Sequence, residues 1–179
     1  NKFKNRDDDD PYLPKKLKQT SVYNLGIGYK ITNYIRSDLN FSYRNFKYKA
    51  KEEYTVSQKI KSYSIFFNGY FEFLNVNKLF KPYFTAGIGY GQNKSTNLAD
   101  RGGSGGDYDY VGSKQNNFIW NIGLGTRFIL NNTFNLDVTY KYVDLGKTKT
   151  KIDPDLPSSI PSSQKIRSHE ITGGVIINL

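Results

Sequence analysis

With 179 residues, 15 tyrosines, 12 phenylalanines and 16 glycines but no cysteine, the chain has the length of one domain and can form neither a disulfide nor a thiolate metal site. Its formal net charge of +10 favours anionic partners such as lipopolysaccharide, sulfated glycans or nucleic acid. No apolar run approaches the ~18 residues of a membrane helix, which excludes a helical span but not a transmembrane barrel, whose alternating strands average to a polar hydropathy.

Residues 1–19 show no periodicity and are expected to form an external loop or a trimmed N-terminal segment, leaving 20–179 as the folded unit. The run Asp7–Asp10 reads as solvated charge, because no EF-hand spacing or turn glycine follows it. From 20 to 31 the chain alternates, with Tyr23, Leu25, Ile27, Tyr29 and Ile31 on one face and Asn24, Gly26, Gly28 and Lys30 on the other. After a break at Thr32-Asn33-Tyr34, a strand over 35–48 sets Leu39, Phe41 and Tyr43 against Arg36, Asp38, Asn40, Ser42 and Arg44. Residues 49–59 form a charged connection. The next strand, 60–74, has Tyr63, Ile65, Phe67, Phe71 and Phe73 on its apolar side and Ser62, Ser64, Asn68, Tyr70 and Glu72 opposite, with Phe66 as an exception to the parity.

A short break over 75–81 leads into a strand over 82–94, where Phe84, Ala86, Ile88 and Tyr90 oppose Tyr83, Thr85, Gly87, Gly89 and Gly91. Gly102-Gly103-Ser104-Gly105-Gly106 marks 95–115 as a flexible loop. The most regular stretch is 116–142, a hairpin whose first arm carries Phe118, Trp120, Ile122, Leu124, Phe128 and Leu130 on one parity. Beyond Asn131-Asn132-Thr133 its second arm carries Phe134, Leu136, Val138, Tyr140 and Tyr142. A Lys-, Pro- and Ser-rich connection, 146–166, precedes a last strand with Ile171, Gly173, Val175, Ile177 and Leu179 on its apolar parity.

Connections thus alternate short and long, which in an up-and-down meander puts the short turns at one end and the long loops at the other, as in outer-membrane barrels. The polar parity decides which face is inside. Lys30, Arg36, Asp38, Arg44, Glu72, Arg127, Asp137 and Lys141 share it with many glycines, which suits a narrow lumen filled by small side chains and paired charges. The expectation is an all-β, antiparallel, up-and-down transmembrane β-barrel. Seven strands are visible where eight are expected, since an open edge in lipid is not tolerated and single-chain barrels are even-numbered. The first strand is therefore expected before Asn1, or from another source. Aromatic residues cluster towards both strand ends, as two interfacial belts would require.

Several runs carry a resemblance: YNLGIGYKITNYIRSDLNFSY, FFNGYFEFLNVNKLFKPYFTAGIGYG, NFIWNIGLGTRFILNNTFNLDVTYKYVDLGKTKT and the closing HEITGGVIINL. They resemble the opacity-type outer-membrane proteins, most closely the small rickettsial surface adhesins, over nearly the whole chain from Ser21. The resemblance implies an eight-stranded barrel in the bacterial outer membrane. It also implies attachment to host cells and capture of the serum protein vitronectin.

Candidate chemistry is thin. Gly26-Ile27-Gly28, Gly87-Ile88-Gly89 and Gly123-Leu124-Gly125 each lack the third glycine of a dinucleotide fingerprint, and no helix follows. His169 is the sole histidine, which excludes multi-histidine metal sites. Ser168-His169-Glu170 would suit a lipid-A-modifying barrel enzyme only if its members met, and strand neighbours point to opposite faces. No catalytic residue, cofactor or metal is expected, and the basic residues interleaved with aromatics are not read as a nucleic-acid site, because the aromatics follow strand parity.

Binding is expected at the long loops. Lys47, Lys49, Lys51, Lys59 and Lys61 flank the second loop, and Lys147, Lys149, Lys151, Lys165 and Arg167 flank the last. Together they are expected to form a basic adhesive surface for a host surface or serum protein or a sulfated glycan, with membrane lipid and lipopolysaccharide as the other partners. The alternatives are a structural barrel or minor channel without a dedicated ligand and, last, the envelope enzyme.

Overall fold

The computed structural model describes the backbone of residues 2–4, 21–51, 55–73, 79–95, 98–101, 108–110, 113–149 and 163–178. Ten strands form one antiparallel sheet: β1 (Lys2–Lys4), β2 (Val22–Lys30), β3 (Ile35–Lys51), β4 (Thr55–Glu72), β5 (Phe80–Ser95), β6 (Leu98–Arg101), β7 (Tyr108–Tyr110), β8 (Lys114–Ile129), β9 (Phe134–Lys149) and β10 (Ser163–Ile177). The path β1-β10-β9-β8-β5-β4-β3-β2 is an up-and-down meander curled into an open barrel, whose seven long strands are those expected from the alternation.

The alternation sets the faces. On β4 the aromatic neighbours Phe66 and Phe67 are 3% and 58% exposed, so one lies inside and the other on the outer wall. The short turns are fixed locally: Thr32 Oγ1 accepts the Tyr34 and Ile35 amides, and Asn131 Oδ1 accepts those of Thr133 and Phe134. These side chains satisfy turn amides that no strand partner can reach.

At the other end the structure departs from the expected long loops. β3 and β4 stay paired from Ile35↔Phe71 to Lys51↔Thr55, so most of 49–59 is ribbon. Within 95–115, β6 and β7 pair with each other, and β6 also adds to the top of β4 through Thr55↔Arg101. β9 and β10 likewise run further than expected, to Lys149 and from Ser163. The glycine-rich segment 102–106 lies outside the described residues.

At the chain start, Lys2–Lys4 is a strand and not loop, and it pairs with β10 through Lys2↔Arg167 and Lys4↔Lys165. It takes the place beside β10 that an eighth strand would fill, at the long-loop end only. Below it the edges of β2 and β10 border a cleft of about 1730 Å³ that opens into the lumen.

Candidate functional site

The interior has two zones, of which one was expected. At the short-turn end Glu72 is a hub: Arg36 Nε lies 3.3 Å from Oε1, Lys81 Nζ lies 4.0 Å from Oε2, and Arg127 Nη2 also bonds Oε1. Arg36 reaches Asp137 as well, at 3.5 Å, and its guanidinium stacks 3.7 Å from the centroid of the Tyr70 ring. Asp137 accepts the Tyr83 hydroxyl at 2.7 Å and that of Thr139 at 2.8 Å. Asp38 accepts Asn68 Nδ2 at 2.6 Å and the Tyr70 hydroxyl at 2.7 Å, and Asn121 donates to Asn68 at 2.9 Å. Gly125 makes this packing possible, because a Cβ there would run into the Tyr83 ring.

Higher up, Arg44 on β3 forms a two-pronged bond with Glu170 on β10 and donates to Ser64 Oγ at 2.7 Å. Of the eight charges expected in the lumen, Arg36, Asp38, Arg44, Glu72, Arg127 and Asp137 join these contacts. Lys141 points at the face of the Tyr70 ring, 5.8 Å from its centroid, whereas Lys30 is exposed at the end of the edge strand β2. Sequence reasoning left Lys81 and Glu170 out of the lumen charges, Glu170 having been weighed only in the Ser168-His169-Glu170 enzyme reading. The signal for Glu170 was present, since it has the inward parity of Ser168, opposite to Ile171.

The second zone adds to the expected small side chains and paired charges an apolar part of the interior. Phe46, Ile60, Phe66, Ile119, Val143, Leu145 and Ile166 form a buried apolar cluster towards the long-loop end. Their parity is that of the polar face lower down. For Phe46, Ile60, Leu145 and Ile166, which lie beyond Tyr43, Tyr63, Tyr142 and His169, the reason is a change of solvent, whereas Phe66 and Ile119 lie lower, between outward Ile65 and Phe67 and between outward Phe118 and Trp120. Past the aromatic residues the outer wall turns polar, with Asn45, Lys61, Gln92, Asn116 and Asp144, and the inside becomes the only dry place for an apolar side chain. Phe66, the apparent exception to the pattern, belongs to this inner cluster.

The cations expected to flank loops are placed by the sheet register. Lys47, Lys49, Lys51 and Lys59 are ribbon residues of β3 and β4, with Lys47 directly opposite Lys59; their side chains lie outside the described set. Lys61 projects from the outer wall of β4. Lys147 is exposed and faces Lys165, which in turn faces Lys4, while Arg167 pairs with Asp144 at 3.3 Å. Lys149 lies on β9 opposite Ser163, and Lys151 is outside the described residues.

His169 is on the outer wall, its Nδ1 2.7 Å from the Tyr140 hydroxyl, while Ser168 and Glu170 are buried inside. The three residues do not come together. Among the described residues no group of three His, Asp or Glu side chains is arranged for a metal ion.

An up-and-down sheet with an apolar outer wall, aromatic residues near its ends and a hydrogen-bonded charged interior is the wall of a transmembrane β-barrel. Such a wall places the protein in the bacterial outer membrane. The chain belongs to the outer membrane protein beta-barrel domain family, whose pattern it matches over residues 1–176. It is 28% identical over 123 residues to the outer membrane protein PagN of Salmonella typhimurium, covering 67% of this chain and 51% of PagN. It is 26% identical over 134 residues to RC1281 of Rickettsia conorii, named as a candidate adhesin, covering 70% of this chain and 53% of that protein. The chain therefore spans about half the length of these two relatives. Its fold is similar to that of Neisserial surface protein A, with a TM-score of 0.58 at 20% identity over 88% of this chain and 83% of the other.

Proposed function

We propose that this barrel is a surface adhesin that binds acidic host components, a sulfated glycan or a serum protein such as vitronectin, through the cations at its long-loop end. The observation that carries the reading is the concentration of positive charge on ribbon that continues past the aromatic residues. Lys47 and Lys59 face one another on the β3–β4 extension, and Lys147, Lys165 and Lys4 share a row across β9, β10 and β1. Such clusters raise the local concentration of polyanions and hold them by several weak contacts. The candidate-adhesin name of the rickettsial relative agrees with this reading.

A channel is disfavoured by the apolar cluster and the Arg44–Glu170 bond, which lie across the lumen on the long-loop side of the Glu72 hub. The test of adhesion is a variant with Lys147→Gln, Lys149→Gln and Lys151→Gln. Its binding to vitronectin- or heparin-coated surfaces should fall at low salt and approach the wild-type level as salt screens the charges. A binding curve that matches wild type at every salt concentration would remove these cations from the adhesive surface.

A further inference from the structure

Lys61 on β4, Lys94 on β5 and Lys114 on β8 lie in one row: Lys61 is the register partner of Lys94, and Lys94 of Lys114. All three have the outward parity of Tyr63, Tyr90 and Phe118, and the residues next to them in sequence, Ser62, Asn93 and Ser113, are buried. Neighbouring strands are about 4.8 Å apart, so three cationic side chains leave the wall along a line of about 10 Å. Like charges directly opposite one another destabilise a sheet. Among the described residues no carboxylate forms an ion pair with any of the three. An anion bound along the row would relieve this repulsion.

Its position says which anion. Lys61 stands two residues beyond Tyr63, about 7 Å along the strand, where the outer wall changes from aromatic to polar. The outer wall is also one-sided. Among the described residues its cations all lie towards the long-loop end, while at the short-turn end it finishes in Phe71, Phe73, Phe128 and Phe134. The row thus faces the headgroup layer of one leaflet, on the surface that the acyl chains cover lower down.

We infer that Lys61, Lys94 and Lys114 form a binding site for the phosphate groups of an outer-leaflet glycolipid, whose acyl chains lie against the apolar wall of β4, β5 and β8. This goes beyond the adhesion reading and does not rest on it. It removes Lys61 from the adhesive set and adds Lys94 and Lys114, which the loop argument did not include.

The test is native mass spectrometry of the full chain in detergent micelles, titrated with bisphosphorylated lipid A or with the same glycolipid stripped of both phosphates. Wild type should retain the phosphorylated form at least about tenfold more tightly, the scale expected when several cations each contribute near an anionic surface. Equal retention of the two glycolipids by wild type would overturn the assignment without any variant. In the variant Lys61→Gln, Lys94→Gln, Lys114→Gln the preference should disappear, while the corresponding Lys→Arg variant should keep it; a preference that survives in the Gln variant would also overturn it. Displacement of bound lipid A by heparin fragments would reassign the row to a soluble polyanion. The Lys147, Lys149 and Lys151 variant should keep the lipid preference, so failure of the adhesion reading and failure of this one are separable.

Discussion

Arg44 on β3 and Glu170 on β10 are bonded through Nε–Oε1 at 2.7 Å and Nη2–Oε2 at 3.0 Å, although the strands that carry them lie next to the opposite ends of the sheet path. The bond spans the interior and ties one end of the sheet to the other. Both partners are nearly fully buried, so losing either leaves an uncompensated charge. Arg44→Ala or Glu170→Ala should each cost about 3–5 kcal/mol, whereas Arg44→Met combined with Glu170→Met should cost less than either. Unfolding midpoints in denaturant, measured in micelles, check this; a double variant weaker than both single ones would contradict it.

Glu72 answers three cations, Arg36, Lys81 and Arg127. Replacing it leaves like charges crowded in a confined space, while replacing Lys81, its most distant partner, removes one of three. Glu72→Gln should therefore destabilise by about 3 kcal/mol or more, and Lys81→Gln by about 1 kcal/mol or less. The check is the temperature at which the folded band is lost in unboiled electrophoresis.

The apolar cluster is expected to seal the lumen as well as stabilise it. Ile119→Ala should cost about 2–5 kcal/mol by leaving a cavity among Phe46, Phe66 and Val143. Protein reconstituted in a planar bilayer should show no unitary current steps, and discrete steps in wild type would show that the cluster does not close the interior.

Gly125 and Gly173 form a matched pair. A Cβ on Gly125 would collide with the Tyr83 ring, which its hydroxyl anchors to Asp137, so Gly125→Ala should cost about 1–3 kcal/mol. Gly173 has nothing within 4 Å of its added Cβ, and Gly173→Ala should change stability by less than about 1 kcal/mol. Denaturant midpoints of the two variants decide the matter.

The alternation of Tyr63, Ile65 and Phe67 against Ser62, Ser64 and Asn68 was enough to determine strands, faces and an antiparallel meander, because side chains in a strand alternate between two solvents. A charged residue on the polar parity of a membrane strand has only the lumen to enter, and Arg36, Asp38, Arg44, Glu72, Arg127 and Asp137 lie there in the structure. Three things needed the tertiary structure. Which charges pair was not legible, because Arg44 and Glu170 are 126 residues apart and meet only when the sheet curls. The apolar cluster was hidden because its members share the inward parity of the polar residues, so Phe66 read as an exception. The row of Lys61, Lys94 and Lys114 was invisible for a related reason: sequence places each lysine beside a connection, and only the register between strands sets the three side by side.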